Sequence, residues 1–403
     1  MHSRASNIRI IALLAVPQVI SWGTLYYAFA ILAADIGREL GWRPEMVFGA
    51  FSWSLLVGGL VAAPAGMLLD RFGGRVVMAT GSLLCGIGFI MLSRAHSLLA
   101  YYLAWTVLGA AMAATLYEAA FATLNHHFGV AARPAISTLT LFAGFASTVF
   151  WPLTLHLNTA FGWRDTYLLY AALQLGLCLP LHLLLGVPPA AGRPKAAHDS
   201  PDFTLRRALR HSSFWTLAFA FSANSFIFSA LSAHLIPILQ RLGHPTGTVV
   251  LMAALIGPMQ VAARLVERAL ASRSRPQTVG KIAFGALPAG LLALLFFGTH
   301  QTALAVFCVC YGASNGILTI ARGTVPQALF GPRNYGAISG AMSAPAMLSK
   351  AAGPLAVAAV IEWNSSPAVL FGLLFAFSIA SLLFYLMAIR SERPANATQL
   401  TSP

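Results

Sequence analysis

Three charged side chains lie deep inside long apolar runs: Glu118, Arg264 and Lys350. A charge at the centre of a bilayer costs at least about 2.5–3.5 kcal/mol on insertion scales, so it faces a cavity or a partner. Each of the three has its own chemistry. Desolvation favours the neutral form of a carboxyl group, which suits Glu118 to binding and releasing a proton. The guanidinium of Arg264 can hold a carboxylate through two parallel hydrogen bonds. Glu267, three residues on, can neutralise it when no anion is bound. Lys350 sits mid-run, at least ten residues from either expected helix end and too far for easy snorkelling. An ion pair with a neighbouring helix is the competing reading for Glu118 and Lys350. For Arg264 it is snorkelling to the near interface.

Polar side chains recur around these charges at helical spacing. Gln18, Trp22 and Tyr26 are spaced i, i+4, i+8. Ser222, Ser225, Ser229 and Ser232 repeat every three or four residues beside Asn224 and His234. Tyr311, Asn315 and Thr319 form a third stripe, and Gln260 lies one turn from Arg264. Such faces suit a water-filled path, although Ser and Thr also serve interhelical packing. We take Arg264, Lys350, Tyr26, Trp22, Gln18, Asn224, Gln260, Asn315, Tyr311 and His234 as candidate substrate-binding residues, and Glu118 as the candidate proton site. His156 and His182 read as packing residues. Cys308 and Cys310 sit about 200° apart around a helix, which argues against a shared metal ligand, so no metal or other cofactor is expected.

The elements that position these residues follow from composition. Only 9% of the 403 residues are charged and 58% are hydrophobic, with a mean hydropathy of +0.74. Soluble domains carry about 25% charged residues, so a soluble enzyme, a disordered chain and a disulfide scaffold are all excluded. Apolar segments fall near 8–34, 46–69, 76–93, 98–124, 134–158, 166–187, 213–240, 247–269, 278–298, 301–322, 334–361 and 367–390. Their length and continuity predict an all-α polytopic membrane protein with twelve transmembrane helices. With both termini on one side, eighteen Lys and Arg residues fall on that side, Arg133 and Arg322 among them. Five fall opposite: Arg38, Arg43, Arg94, Arg164 and Arg241. The positive-inside rule then places both termini in the cytoplasm. The polar, proline-containing stretch 188–212 reads as a cytoplasmic linker between an N-terminal half (1–187) and a C-terminal half (213–403) that ends in a short tail. The +14 net charge is therefore membrane anchoring, with no nucleic-acid partner.

Gly66, Asp70, Arg71, Gly73, Gly74 and Arg75 form a tight cluster between spans 2 and 3. A shift of 197 residues carries Gly66, Asp70 and Arg71 onto Ala263, Glu267 and Arg268, and Glu118 onto Asn315. Two six-helix halves related in this way predict a pseudo-symmetric repeat about the membrane normal. An acid at a helix end can face a helix N-terminus of the other half, which makes Asp70, Arg71, Arg75, Glu267 and Arg268 candidate gating residues.

The Gly-x-x-x-Asp-Arg-x-Gly pattern resembles the loop signature of the major facilitator superfamily, with one basic position fewer at Gly74-Arg75. Trp22-Gly23 and Tyr26-Tyr27 in span 1, Arg264 in span 8 and Lys350 in span 11 are similar to bacterial relatives of monocarboxylate and oxalate–formate carriers. Span 5, from Gly144 to Pro152, lacks the Gly-x-x-x-Gly-Pro signature of many drug antiporters. The resemblance implies spans 1, 4, 7 and 10 around a central path. It also implies a lysine in span 11 that works with an arginine in span 8. The expected protein is a monomeric secondary transporter of the inner (plasma) membrane, a symporter or antiporter. It moves a small organic anion by alternating access with proton coupling. Proton-driven efflux of a drug or other toxic small molecule is the alternative. No Walker-type loop occurs in the sequence, and neither ATP use nor enzyme chemistry is expected.

Overall fold

The computed structural model describes residues 2–186, 203–271, 273–364 and 366–390. Most of the expected linker (188–202) and the tail from 391 onward lie outside the described residues. Described residues 203–212 include a short helix, Leu205–Leu209, tied to the C-terminal half. Phe203 packs edge-on against Phe330, and Asn334 Nδ2 donates to the Phe203 carbonyl at 2.8 Å.

The described residues are helical and form no strands, with ten stretches long and apolar enough to cross a membrane. Two of these stretches, Pro44–Ser93 and Ala132–Leu183, hold 50 and 52 residues. A straight helix needs only about 20 to span the hydrocarbon. Each doubles back at a glycine with positive φ, Gly73 (81°) and Gly162 (79°), a conformation that disfavours any Cβ. Packing proves both reversals. Tyr102 OH donates to Met46 O, Trp53 Nε1 donates to Thr106, and Gly58 abuts Gly109, so span 2 runs parallel to span 4. Gly74 abuts Thr123, Gly81 abuts Thr115 and Gly88 abuts Leu108, so span 3 runs antiparallel to span 4. Around Gly162, Thr154 and Tyr170 bond side chain to side chain at 2.6 Å, eight residues to each side. Ten stretches with two reversals give the twelve spans read from the sequence.

The second half repeats this packing. Gly312 rests on Ile256 and Gly316 on Gln260, so span 10 (Gln301–Phe330) runs parallel to span 8 (Thr246–Ala253 and Ile256–Leu270). Gly290 meets Phe307, and Ser314 Oγ donates to Ala283 O, so span 9 (Pro276–Phe297) is antiparallel to span 10. Span 7 is Ser212–Arg241, span 11 Tyr335–Trp363 and span 12 Pro367–Arg390. Large apolar side chains such as Leu60, Leu99, Phe296 and Leu355 point outward while others fill the interior, as a lipid-facing surface requires.

Two local departures shape the centre. Span 4 breaks at Leu116, which is extended (ψ −163°), dividing it into Leu98–Thr115 and Tyr117–Phe128. Neither glycine nor proline marks the break. Gln18 Nε2 instead binds the carbonyl of Thr115 that the break sets free. Span 1 carries a π-helical turn at Gly23–Tyr27, where the ring of Phe150 lies too close for any side chain on Gly23.

Candidate functional site

Glu118 sits in the first turn of the half-helix that starts after the break, where backbone N–H dipoles favour a negative charge. Its Oε1 accepts a hydrogen bond from Ser343 Oγ of span 11 at 3.2 Å. Trp22, Tyr26, Glu118, Ser343 and Lys350 line one pocket of about 410 Å³, mouth included, with Leu55, Met112 and Met347 among its apolar walls. Lys350 Nζ lies 4.4 Å from the Tyr26 ring centroid and 5.7 Å from that of Trp22. Among the described residues, no carboxylate comes within 4.0 Å of it. Ring faces compensate a half-buried cation only in part, at about 0.5–2 kcal/mol. The pocket thus holds one acid from the N-terminal half and one base from the C-terminal half, unpaired with each other. Among the described residues, the buried Trp22 Nε1 has no acceptor.

The other sequence candidates are distributed around this pocket. Gln18 is fully buried beneath the break. Arg264 is buried and donates to Thr140 O (2.7 Å) and Gly316 O (3.4 Å), so it bridges spans 5 and 10 and does not line the pocket. The carbonyl of Gln260 packs on Gly316. Asn224 faces Ser381 of span 12. Tyr311 OH donates to Phe228 O, and His234 Nε2 donates to Pro354 O. Asn315 is half-buried and accepts from Thr319 through its carbonyl. Of the ten residues read as substrate-binding, the pocket gathers Trp22, Tyr26 and Lys350.

Beyond Glu118, the end of the bundle that carries Arg71, Arg133, Arg268 and Arg333 is sealed. Asp70 accepts the N–H groups of Gly336 (3.0 Å) and Ala337 (2.8 Å), so it caps span 11 across the two halves. His126 Nε2 adds a third contact at 3.0 Å. Glu267, the repeat counterpart of Asp70, pairs with Arg133 Nε of span 5 at 2.8 Å and accepts from Ser137 Oγ. Arg133 also grips Ser274 through its backbone carbonyl and hydroxyl. Arg268 donates to Pro134 O. Asn125 reaches Gly323 O and Gln327 reaches Gly129 O. Arg71 and Arg75 are exposed, and Arg71 stacks on its neighbour Phe72. The acids of the loop signature are thus engaged across the halves, while these two arginines are not.

Sequence reasoning missed His126, Arg133 and Arg322. The two arginines were assigned to membrane anchoring. Span 10 was expected to end at 322, but its helix runs on to Phe330, which sets Arg322 two turns inside. The apolar run Val325 to Phe330, interrupted only by Gln327, was the available signal.

The sequence pattern of the Major Facilitator Superfamily matches residues 11–354. An uncharacterised 38 kDa protein of the 23S RNA operon of Thermoproteus tenax is 29% identical over 318 residues, 78% of this chain and 79% of its own. Monocarboxylate transporter 13 of Bos taurus is 27% identical over 290 residues, 68% of this chain and 66% of its own. Among solved structures, the transporter FucP in its outward conformation superposes with a TM-score of 0.74 at 14% identity, covering 95% of this chain and 99% of that one. With twelve spans in two repeated halves and the family pattern running through both, this chain is a membrane transport protein of the Major Facilitator Superfamily.

Proposed function

We propose that this protein is a proton-coupled carrier of small monocarboxylate-like anions in the inner (plasma) membrane, with both termini cytoplasmic. The observation that carries the reading is Lys350, a cation held in the central pocket against two aromatic rings with, among the described residues, no carboxylate within 4.0 Å. An anion completes that site with a charge-assisted hydrogen bond. Likeness to a monocarboxylate transporter supports the substrate class. Glu118 shares the pocket and takes up the proton, because a neutral carboxyl and a bound anion together leave Lys350 fully compensated. The basic end is the cytoplasmic gate. Its cross-half bonds hold the closed state and break when residues 1–187 and 213–403 rock about the pocket as two bodies joined by the 188–212 linker. Arg264 serves this reading as a clamp between spans 5 and 10.

Proteoliposomes loaded across a pH gradient test the proposal with radiolabelled lactate, acetate and oxalate. Wild-type protein accumulates a monocarboxylate when the outside is acidic. Lys350→Ala lowers that flux about tenfold or more, the scale of one lost charge-assisted contact. Glu118→Gln retains anion exchange and loses the response to the gradient. Undiminished flux in Lys350→Ala would overturn the assigned role of Lys350, and absence of anion flux in the wild-type protein would favour proton-driven efflux of a different small molecule.

A further inference from the structure

Arg322 is a second cation near the centre of the molecule, and the pocket does not account for it. Its Nη2 donates to the hydroxyl of Ser225 on span 7, and its guanidinium carbon lies 5.8 Å from the Phe221 ring centroid. Its Nε is buried and has no acceptor among the described residues. Among the described residues, no carboxylate lies within 4.0 Å of it, and Glu118 acts on it only at longer range. An arginine held so far from compensation is expensive inside a bilayer. Anchoring does not require it, since the exposed Arg71, Arg75 and Arg333 already supply charge at that end.

Its position is ordered relative to the pocket on two sides. Along span 7, Ser225 holds Arg322, and Ser229, one turn further from the basic end, donates to the carbonyl of Lys350 at 2.6 Å. The Arg322 guanidinium and the Lys350 backbone are therefore tied to successive turns of one helix, at hydroxyl anchors about 6 Å apart along its axis. Along span 11, Ser343 binds Glu118 and the carbonyl of Ser339. Ser339 bonds the hydroxyl of Tyr335, and Tyr335 OH donates to the carbonyl of Arg322. This polar track leads from the pocket towards the seal at Gly336 and Ala337. Asn125, across from it, has an unbonded buried Oδ1.

We propose that Arg322 is an inner anion station, the group that takes the substrate carboxylate from Lys350 as the basic end opens. Bidentate guanidinium geometry suits a planar carboxylate, and the polar track of Ser343, Ser339 and Tyr335 joins the pocket to the backbone of Arg322. The inference rests on the anion-carrier reading of the same pocket.

The test measures half-saturating concentrations for radiolabelled lactate from each face, in right-side-out and inside-out vesicles of expressing cells. Arg322→Gln raises the value about tenfold at the basic-end face and leaves the opposite face within about twofold, because Lys350 meets the anion first there. Arg322→Lys restores most of the affinity. Ser225→Ala, which keeps the charge and frees Nη2, raises the basic-face value in the same direction. If Arg322→Gln fails to reach the membrane folded, Arg322→Lys and Ser225→Ala decide between the outcomes. Equal effects on both faces, or no effect on either, overturn the inner station while leaving the carrier intact. Absence of lactate, acetate and oxalate flux in the wild-type protein overturns the carrier reading and this inference together.

Discussion

At the scale of single residues, charges inside apolar runs were the most legible feature of the sequence. Glu118 and Lys350 stood out because a bilayer penalises them, and both line the pocket. Helical spacing was a weaker guide. Gln18 shares the i, i+4, i+8 register of Trp22 and Tyr26, yet its side chain serves the backbone of span 4. The break that recruits it lies at Leu116, a residue type that gives no warning of an interrupted helix. Gln18→Ala leaves the Thr115 carbonyl buried without a partner, at a cost of about 1–3 kcal/mol. The expected result is a lower thermal unfolding temperature in detergent, with the half-saturating lactate concentration nearly unchanged. A large loss of affinity at constant stability would restore Gln18 to the substrate site.

At the scale of elements, small residues decide how closely the two halves approach. A Cβ on Gly66 would stand 2.0 Å from the carbonyl oxygen of Gly336, and one on Gly340 would stand 2.2 Å from that of Ala62. Spans 2 and 11 therefore touch backbone to backbone along the face that Asp70 caps. Gly73 differs, since it turns the chain at φ 81° into open space. Both glycines belong to one sequence signature, which did not reveal that one serves contact and the other conformation. Gly66→Ala pushes span 11 away at a packing cost of about 1–3 kcal/mol, charged to the closed state alone. Gly73→Ala carries a backbone cost of similar size, about 1–3 kcal/mol, in every state. Cysteine labelling at Ala337 from the basic face is expected to rise strongly in Gly66→Ala and to stay at the wild-type level in Gly73→Ala. Both variants should unfold at lower temperature. Span ends were the least legible elements, and misplacing the end of span 10 hid Arg322.

At the scale of the whole molecule, the 197-residue repeat read from three residue pairs has a physical counterpart at the seal. Asn125 bonds Gly323 and Gln327 bonds Gly129, both pairs 198 residues apart and with opposite donor directions. Near-equivalent positions touch only near the pseudo-axis, so spans 4 and 10 cross there. Flanking that axis, Asp70 and Glu267 perform matched tasks by different means, one capping span 11 and the other pairing with Arg133. The sequence signalled both acids but not their cross-half partners, which lie 134 and 267 residues away along the chain. Glu267 is almost wholly buried and Arg133 nearly so. Removing one partner of such a pair costs about 3–5 kcal/mol, and here the cost falls on the closed state, since opening returns the orphan to water. Inverting a two-state balance from 1:99 to 99:1 takes about 5.5 kcal/mol, so either single change is large enough to populate the open form. Arg133→Gln and Glu267→Gln are each expected to lengthen the spin-label distance between cysteines placed at Phe72 and Arg333, two exposed positions on opposite halves. The double variant buries two neutral amides that can bond each other, so its distances return most of the way to wild type. Single variants that keep the wild-type distribution would assign the seal to the Asp70 cap, with Arg133–Glu267 contributing nothing to the balance.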